Sequence, residues 1–572
     1  MASTSATSSA RTFARSDLSY LGLLVLIVAA PFERLKPVLS VLGLELTTLE
    51  LVLSAALLLW LILAVIGRRQ LSFKSPISWP SLLLLVVMLM SSGVTATHPD
   101  EALRFCGRFA AGIFVYFLVF NEIKSHGRMS GISSAAVFAG TLVAVLGILE
   151  YLHLPRVSEW LAPFKTGPMY VGGQLRASST LQYPTIASMY LEITFGLGVG
   201  LLLRALARSS VRVTTLVFLC LLVIAEGIIL TQTRAGLLIM MIQLVTVGGL
   251  YCVKRGIDRS FWVLVALVVF LAGLLGQMLI YDPMYWLRLT TSGQEGWYRA
   301  QFTIPSFLKL APGELKQVEI TVTNAGRVPW HTDGESPFHV SYHWLHPEEN
   351  VALVFEGLRT PFCRPVRPGE KIQVQARVLA PSQPGQYRLA WDVAQEDRLW
   401  FSTEEQLEAY SEAIIEGPAV EGELRPIPLP EPRFHIDRLT LWSAACRMLW
   451  SHPLLGVGPD HFRLLYGHYL DLEKWDERLH SNNMYLEFFV GTGLVGGILF
   501  LWLSIGVLRT LMQIWPKIAD RDLPLFLGIG PAVLAVAVHG LFDYFLGFTS
   551  TYIMIWTTWG AAGALFSYLK QG

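Results

Sequence analysis

Residues 213–232, VTTLVFLCLLVIAEGIILTQ, and residues 235–253, AGLLIMMIQLVTVGGLYCV, are two apolar runs separated only by Thr233 and Arg234. A helix of about 20 apolar residues is long enough to cross the hydrocarbon core of a bilayer. Charged residues make up 15% of the 572-residue chain, compared with about 25% in ordinary soluble domains. The sequence therefore predicts a polytopic α-helical membrane protein. Its formal net charge of +1 gives no sign of nucleic-acid binding.

Apolar stretches of this kind occur twelve times, which predicts about twelve membrane-spanning helices. The first stretch follows Arg11 and Arg15, as the apolar core of a secretory signal peptide would. Residues 31–33, Pro-Phe-Glu, form a poor cleavage site, so we interpret the stretch as an uncleaved span. Pro31, Glu33 and Pro37 interrupt it, so a shorter span with an interfacial tail is the alternative. The twelve stretches are residues 18–40, 47–66, 79–96, 102–120, 131–153, 185–204, 213–232, 235–253, 260–280, 484–508, 523–546 and 549–568.

Basic residues are concentrated in every second loop between these stretches, and loops of that kind face the cytoplasm. These residues are Arg11, Arg15, Arg68, Arg69, Lys74, Lys124, Arg128, Arg204, Arg208, Arg212, Lys254, Arg255, Arg259, Arg509, Lys517, Arg521 and Lys570. Both termini are therefore predicted to be cytoplasmic, and the long loops 154–184 and 281–483 are predicted to face outward. Because ATP and nucleotide sugars are absent outside the cytoplasm, an enzyme with its site there needs a substrate that is already activated and membrane-bound.

The second outward loop contains a predicted soluble insert at residues 300–418, where apolar and polar residues alternate between Pro-Gly turns. This alternation predicts an all-β sandwich, and the insert resembles immunoglobulin-like domains of bacterial surface enzymes. Trp330, Trp344 and Trp391 could form a sugar-binding platform, although aromatic residues of small domains more often fill the core. The predicted domains are a membrane part at 1–299 with about nine spans, the insert at 300–418, a linker and interfacial helix at 419–483, and a membrane part at 484–572 with three spans.

Two arginines in the predicted outward loops are candidates for anion binding. Arg234 follows the Thr-Gln-Thr segment in a turn with almost no loop. Arg176 lies in residues 172–180, GGQLRASST, just before a span. A guanidinium group at the outer interface can hold a phosphate through two parallel hydrogen bonds. Alternatively, Arg234 could simply extend its charge to the membrane surface, and Arg176 could be a solvated residue of a re-entrant loop.

Two further polar segments precede the tenth span. Residues 452–462, HPLLGVGPDHF, follow a predicted interfacial amphipathic helix. Residues 478–487, RLHSNNMYLE, place His480, Asn482 and Asn483 at the outer mouth of the span. Histidine titrates near neutral pH and can act as a general base. Alternatively, these residues form a polar cluster that only caps the helix.

Together, the TRAGLL, HPLLGVGPDHF and HSNNMYLE segments resemble motifs of the O-antigen ligase and polymerase superfamily. The resemblance covers the chain from about residue 80 to its end, apart from the insert. It implies a bacterial cytoplasmic-membrane glycosyltransferase of the C type, with its site facing outward. The implied donor is a glycan on undecaprenyl pyrophosphate, and the implied acceptor is a glycan or lipid, as in lipopolysaccharide biosynthesis. The family uses no nucleotide sugar, and the resemblance implies no cofactor and no metal.

The resemblance also implies roles for individual residues. Arg234 and Arg176 match arginines that bind the pyrophosphate, and His480 matches the first histidine of the family's His-x-His-Asn segment. Asn482 stands where the family has its second histidine, which leaves the catalytic role to His480 or to charge stabilisation alone. Asn483 keeps the family residue. Possible further members of the phosphate site are Arg288, Arg299 and Arg438.

Two other functions fit part of the pattern. A polymerase would use the same donor with a lipid-linked acceptor, and the motifs do not separate it from a ligase. A transporter or flippase would bury charged residues at the membrane midplane. The candidates for that function are Glu226, His539 and Asp543, and the chain has no convincing internal repeat.

The predicted orientation can be tested by thiol labelling of intact cells. In a chain whose five cysteines are replaced by serine, a cysteine at Asp100 should react with a membrane-impermeant maleimide added from outside. A cysteine at Ser209 should react only after the membrane is broken. Labelling of Ser209→Cys in intact cells would contradict the topology.

Overall fold

The computed structural model describes residues 17–41, 44–67, 70–172, 174–291, 296–334, 336–349, 351–405, 407–421, 426–429 and 436–571. Arg11, Arg15, Arg68 and Arg69, on which the orientation partly rests, lie outside the described residues, as does Gly173 of the Arg176 segment. Residues Trp286–Ile436, together with Tyr170–Gln174, form one compact unit, and the remaining described residues form another.

The membrane part is helical, and a helix lies at each of the twelve positions where hydropathy predicts a span. The helices are α1 (Asp17–Ala29), α2 (Thr48–Ile66), α3 (Ser78–Val94), α4 (Pro99–Glu122), α5 (His126–Tyr151), α6 (Pro155–Leu161), α7 (Pro184–Ala207), α8 (Val211–Leu230), α9 (Arg234–Arg255), α10 (Arg259–Tyr281), α11 (Pro283–Thr290), α12 (Arg438–Ser451), α13 (Phe462–Tyr469), α14 (Met484–Ile514), α15 (Leu523–His539) and α16 (Thr549–Gln571).

Eight of the helices in the described residues are long and apolar enough to cross a membrane, namely α2, α4, α5, α7, α8, α9, α10 and α14. These eight helices are those of a polytopic membrane protein, whereas α1, α3 and α15 are shorter apolar helices. The total of twelve spans stays a prediction. The predicted first span is wrong in its second half: α1 ends at Ala29, and Leu39–Val41 (β1) pairs with Leu44–Leu46 (β2). Pro31 explains the early end, because proline cannot continue a helical hydrogen-bond ladder.

Helix α7 is the most enclosed of the eight long helices, and it packs against α5, α8, α9 and α15. Glycines allow the closest of these contacts. A Cβ atom on Gly200 would lie 2.6 Å from the Cα atom of Gly528 in α15. Small residues let helix backbones approach one another where no hydrophobic effect drives association. The polar residues of α7 are therefore held inside protein, away from lipid.

The other unit contains short strands where the alternating sequence predicts them. One sheet has the order β15-β9-β8-β12-β14-β6, with β10 paired to β8 and β13 to β12, and a second has the order β11-β7-β5. The strands are β5 (Ala300–Thr303), β6 (Phe307–Leu310), β7 (Leu315–Asn324), β8 (Phe338–Leu345), β9 (Val351–Val354), β10 (Thr360–Pro361), β11 (Lys371–Leu379), β12 (Gly385–Gln395), β13 (Leu399–Trp400), β14 (Tyr410–Ile415) and β15 (Ile427–Pro428), and a separate ribbon joins β3 (Met169–Val171) to β4 (Gln174–Arg176).

The three tryptophans of the insert belong to its core. Trp330, Trp344 and Trp391 are each 0% exposed, so they form no sugar platform. The Trp344 indole donates to the Leu379 carbonyl at 2.8 Å and so joins β8 to the second sheet. The immunoglobulin-like classification of this unit stays a prediction.

A break inside α14 explains the glycines of two motifs. Gly493 has φ 67° and ψ −170°, which interrupts the helix. The carbonyls of Val490 and Gly491 accept hydrogen bonds from Val457 at 2.9 Å and Gly458 at 3.1 Å. The His452–Phe462 segment is therefore held by backbone hydrogen bonds in the gap of a membrane helix, where its own polar groups are satisfied.

Substitution Gly493→Ala should destabilise the protein. A Cβ atom there would lie 2.2 Å from the Leu454 carbonyl oxygen, and the left-handed backbone adds a cost of about 1–3 kcal/mol. The matched control is Gly248→Ala in α9, where a Cβ atom would meet no neighbouring atom within 4 Å. Thermal unfolding of detergent-purified protein should give a lower Tm for Gly493→Ala than for Gly248→Ala, and equal values would contradict this account of the break.

Candidate active site

The turn between α8 and α9 presents Arg234 at the first position of α9. Gln232 has φ 51°, a left-handed conformation that reverses the chain within three residues. The Thr231 hydroxyl donates to the Ile228 carbonyl at 2.7 Å. Thr233 occupies the N-cap position without a side-chain capping bond. The amide dipoles at a helix start favour an anion.

Arg176 lies directly against this turn. Its Nε donates to the Thr231 carbonyl at 3.0 Å, and its Nη2 donates to the Thr233 hydroxyl at 3.3 Å. The Arg176 residue is 8% exposed. The amide of Ala177 also donates to the Leu230 carbonyl at 3.0 Å. Two motifs more than fifty residues apart in the chain are thus brought together.

A buried ion pair supports the Arg176 segment. The Glu150 carboxylate accepts hydrogen bonds from the amides of Ser178 at 3.2 Å and Ser179 at 2.7 Å. Lys165 pairs with the same carboxylate, and both side chains are buried. Neither charge was recognised in the sequence. Glu150 stands at the end of an apolar stretch and could have been found by the rule that charges beside spans are functional or paired.

Arg438 is the third arginine that the structure brings to this place. It occupies the first position of α12, behind the N-cap Asp437, whose carboxylate accepts from the Thr440 amide at 2.7 Å. Its side chain is exposed, and its positive charge acts on Arg234. Two cations held within electrostatic reach of each other repel, and an anion between them would relieve that repulsion.

His480 is paired with a carboxylate that the sequence did not single out. Its Nδ1 lies 3.4 Å from Glu487 Oε1, and its ring centroid lies 4.6 Å from that of Tyr544. Burial disfavours the charged form of His480, but the Glu487 carboxylate outweighs burial, so the pKa of His480 is raised above its ordinary value. Glu487 also accepts from the Ser481 amide at 2.7 Å, which fixes the carboxylate toward the histidine loop.

The two asparagines differ in their surroundings. Asn483 is the N-cap of α14: its Oδ1 accepts from the amides of Tyr485 at 3.0 Å and Leu486 at 3.1 Å, while its Nδ2 donates to the Leu541 carbonyl at 3.1 Å. These bonds match the capping interpretation of the segment, and a part of Asn483 in substrate binding stays a prediction. Asn482 has φ 52° and is partly exposed, so it remains beside His480 as a candidate for binding substrate.

Helix α12 connects the arginines to the histidine loop. The indole of Trp442 donates to the Ser481 carbonyl at 2.9 Å. Trp442 is four residues, or about 6 Å of helix rise, from Arg438. Tyr183, at the start of α7, also interacts electrostatically with Arg478 of the same loop. Hydrogen bonds therefore join Arg176 to the turn before Arg234, and they join α12, which begins with Arg438, to the loop of His480.

Arg288 and Arg299 belong to the other compact unit. Arg299 is in an ion pair with Glu405, with Nε 3.4 Å from Oε2. Arg288 lies in the last turn of α11. Their predicted part in the phosphate site stays a prediction. Among the described residues, no group of three or more histidine, cysteine, aspartate and glutamate side chains is arranged to hold a metal.

Comparisons with known proteins bear on the segment that carries His480. The family model described as O-antigen ligase matches residues 435–501, which include α12, α13 and the broken part of α14. Over these residues the chain is similar to O-antigen ligases, the family that its motifs resemble. No curated protein matches the chain.

Among solved structures, the Pseudomonas fluorescens alkylpurine DNA glycosylase AlkC bound to DNA containing an abasic site analog is 10% identical, with 59% of this chain and 98% of that chain covered. Its TM-score of 0.13 carries no argument about fold or function.

The raised pKa of His480 should appear in the pH dependence of stability. Because the folded pKa is raised, the pair with Glu487 stabilises the protein fully below the unfolded value, about 6.5, and this stabilisation is lost as pH rises through the folded pKa. The Tm advantage of wild type over His480→Gln should therefore be largest below about pH 6.5 and should shrink above it. His331→Gln, at an exposed position, is the control. A pH-independent Tm difference for His480→Gln would contradict the pairing with Glu487.

Proposed function

We propose that the protein is a membrane glycosyltransferase that moves a glycan from undecaprenyl pyrophosphate to an acceptor hydroxyl on the outer side of the cytoplasmic membrane. The match of residues 435–501 supports glycan processing of the O-antigen ligase or polymerase type. The observation that carries the proposal further is the pair of Arg176 and Arg234 at the start of α9, where the charge of Arg438 also acts on Arg234.

These arginines suit the leaving group of this reaction. Pyrophosphate carries several negative charges, and planar guanidinium groups bind phosphate oxygens in pairs of parallel hydrogen bonds. Arg176 is held by the Thr231 carbonyl and the Thr233 hydroxyl, so its position is fixed before any ligand binds. Preorganised cations that face developing negative charge commonly supply the largest part of a rate enhancement.

His480 suits the acceptor side. In the proposed step the acceptor oxygen bonds to the anomeric carbon, and the bond from that carbon to the pyrophosphate oxygen breaks with inversion. The electron pair leaves with undecaprenyl pyrophosphate, and the hydroxyl proton passes to neutral His480. The raised pKa of His480 makes its neutral form a stronger base. Glu487 stabilises the imidazolium that results.

The chemistry can be tested with purified protein, undecaprenyl-pyrophosphate glycan and candidate acceptors, in the absence of nucleotide. We expect free undecaprenyl pyrophosphate to accumulate with wild type. Its release should fall about 100- to 1,000-fold in Arg234→Ala, as for other preorganised groups that stabilise transition-state charge. Arg234→Lys should restore only part of the rate because lysine has no planar fork. His480→Ala should lower the rate by about 100-fold or more.

The matched control is Arg255→Ala, at the opposite end of α9, where Arg255 pairs with Asp520 at 3.2 Å. It should release lipid at the wild-type rate. A ladder of product sizes would identify a polymerase, and a single addition would identify a ligase. Unchanged turnover in both Arg234→Ala and His480→Ala would refute the site.

A further inference from the structure

A carboxylate is buried in the interior of α7. Glu192 is 0% exposed. Its Oε1 accepts from the Ser188 hydroxyl at 2.7 Å, and its Oε2 lies 2.9 Å from Nδ1 of His539 in α15. Burial of a carboxylate is costly unless its oxygens are hydrogen-bonded or paired. Both oxygens of Glu192 are engaged, and none of the sequence motifs contains Glu192 or His539.

The first turn of α9 packs against Glu192 and the neighbouring Ser188. A Cβ atom on Gly236 would lie 2.0 Å from the Ser188 hydroxyl oxygen and 3.0 Å from Glu192 Oε1. Gly236 follows Arg234 by two residues, so the turn that presents Arg234 rests directly on the Ser188 and Glu192 side chains. The Gln243 amide, further along α9, also donates to the Glu192 carbonyl at 3.0 Å.

The start of α14 is hydrogen-bonded to the backbone around His539. His539 is the last residue of α15, and the backbone around it accepts three hydrogen bonds from α14 and its cap. The Tyr485 hydroxyl donates to Ala537 at 2.8 Å, the Met484 amide to Gly540 at 2.7 Å, and the Asn483 amide group to Leu541 at 3.1 Å. Asn483 lies three residues after His480 in the same loop.

We propose that Glu192 and His539 are positioning residues that fix the distance between the arginine turn at Arg234 and the histidine loop at His480. The pair is the buried polar connection between the two parts of the candidate site: its carboxylate supports α9, and its imidazole holds the end of α15 on which α14 begins. The expected effect on turnover rests on the proposed function. The expected effect on the distance between the two segments does not depend on that function.

Helix α15 offers a matched control at its opposite end. Asp522, the N-cap residue of α15, is 0% exposed and pairs with His126 of α5. This second histidine–carboxylate pair has the same chemistry and belongs to the same helix, but it lies far from His480 along α15. If the pairs only stabilise the fold, substitutions in either pair should lower turnover equally. If Glu192 and His539 position the site, only substitutions in that pair should lower turnover.

The first readout is turnover in detergent with undecaprenyl-pyrophosphate glycan and an acceptor. We expect Glu192→Ala and His539→Ala to lower kcat about 10- to 100-fold, the loss expected for a misplaced reacting group, with little change in the donor KM. Glu192→Gln can still bridge Ser188 and His539 and should retain most of the rate. Asp522→Ala should retain the wild-type kcat per folded molecule. Equal losses in Glu192→Ala and Asp522→Ala would overturn the proposal.

The second readout does not depend on activity. Spin labels at the exposed positions Leu238 and Arg478, in a full-length chain without native cysteines, report the distance between the two parts of the site. The distance distribution should broaden in Glu192→Ala and in the milder Ser188→Ala, and it should stay narrow in Asp522→Ala and Glu192→Gln. A distribution unchanged in Glu192→Ala would overturn the proposal even if the protein proved to have another substrate. Absence of lipid release by wild type would instead refute the proposed function.

Discussion

The hydrogen bonds from Arg176 to the turn before α9 are the interaction on which the candidate site depends. They satisfy a guanidinium group that is almost fully buried, and an unpaired buried charge would be costly. They also hold the turn between two membrane helices to a loop that arrives from a third. They therefore hold the turn that presents Arg234, and the charge of Arg438, at the start of α12, acts on Arg234.

In α14, backbone groups rather than side chains hold a neighbouring loop to a membrane helix. The break at Gly493 exposes carbonyls of a membrane helix, and the glycine-rich segment before α13 supplies the matching amides. A side chain at Gly456 would collide with the Val490 carbonyl at 2.3 Å. The glycines that made these motifs recognisable therefore serve packing.

Sequence reasoning succeeded where the signal was local. Hydropathy located the helices, and alternation located the strands β7, β8, β11 and β12. The motifs singled out Arg176 and the turn at Arg234, which the structure joins by hydrogen bonds. Sequence reasoning failed for side chains whose hydrogen-bond partners are distant in the chain. Glu192 and His539 are 347 residues apart, and nothing near Glu192 in the sequence reveals the histidine that pairs with it. The bond from the Asn483 amide group to the Leu541 carbonyl was hidden for the same reason, because the two residues are 58 positions apart.

The mutual repulsion of Arg234 and Arg438 has a consequence for the order of events at the membrane. Under the proposed reaction, the lipid that departs has lost its sugar, and its terminal phosphate gains an ionisable oxygen with a pKa near 6. The spent carrier is then a stronger counterion for the arginines than the loaded carrier was. Escape of the used lipid is then harder than arrival of the loaded lipid, and a cell would keep this protein working by removing spent carrier from the outer leaflet as fast as it is made.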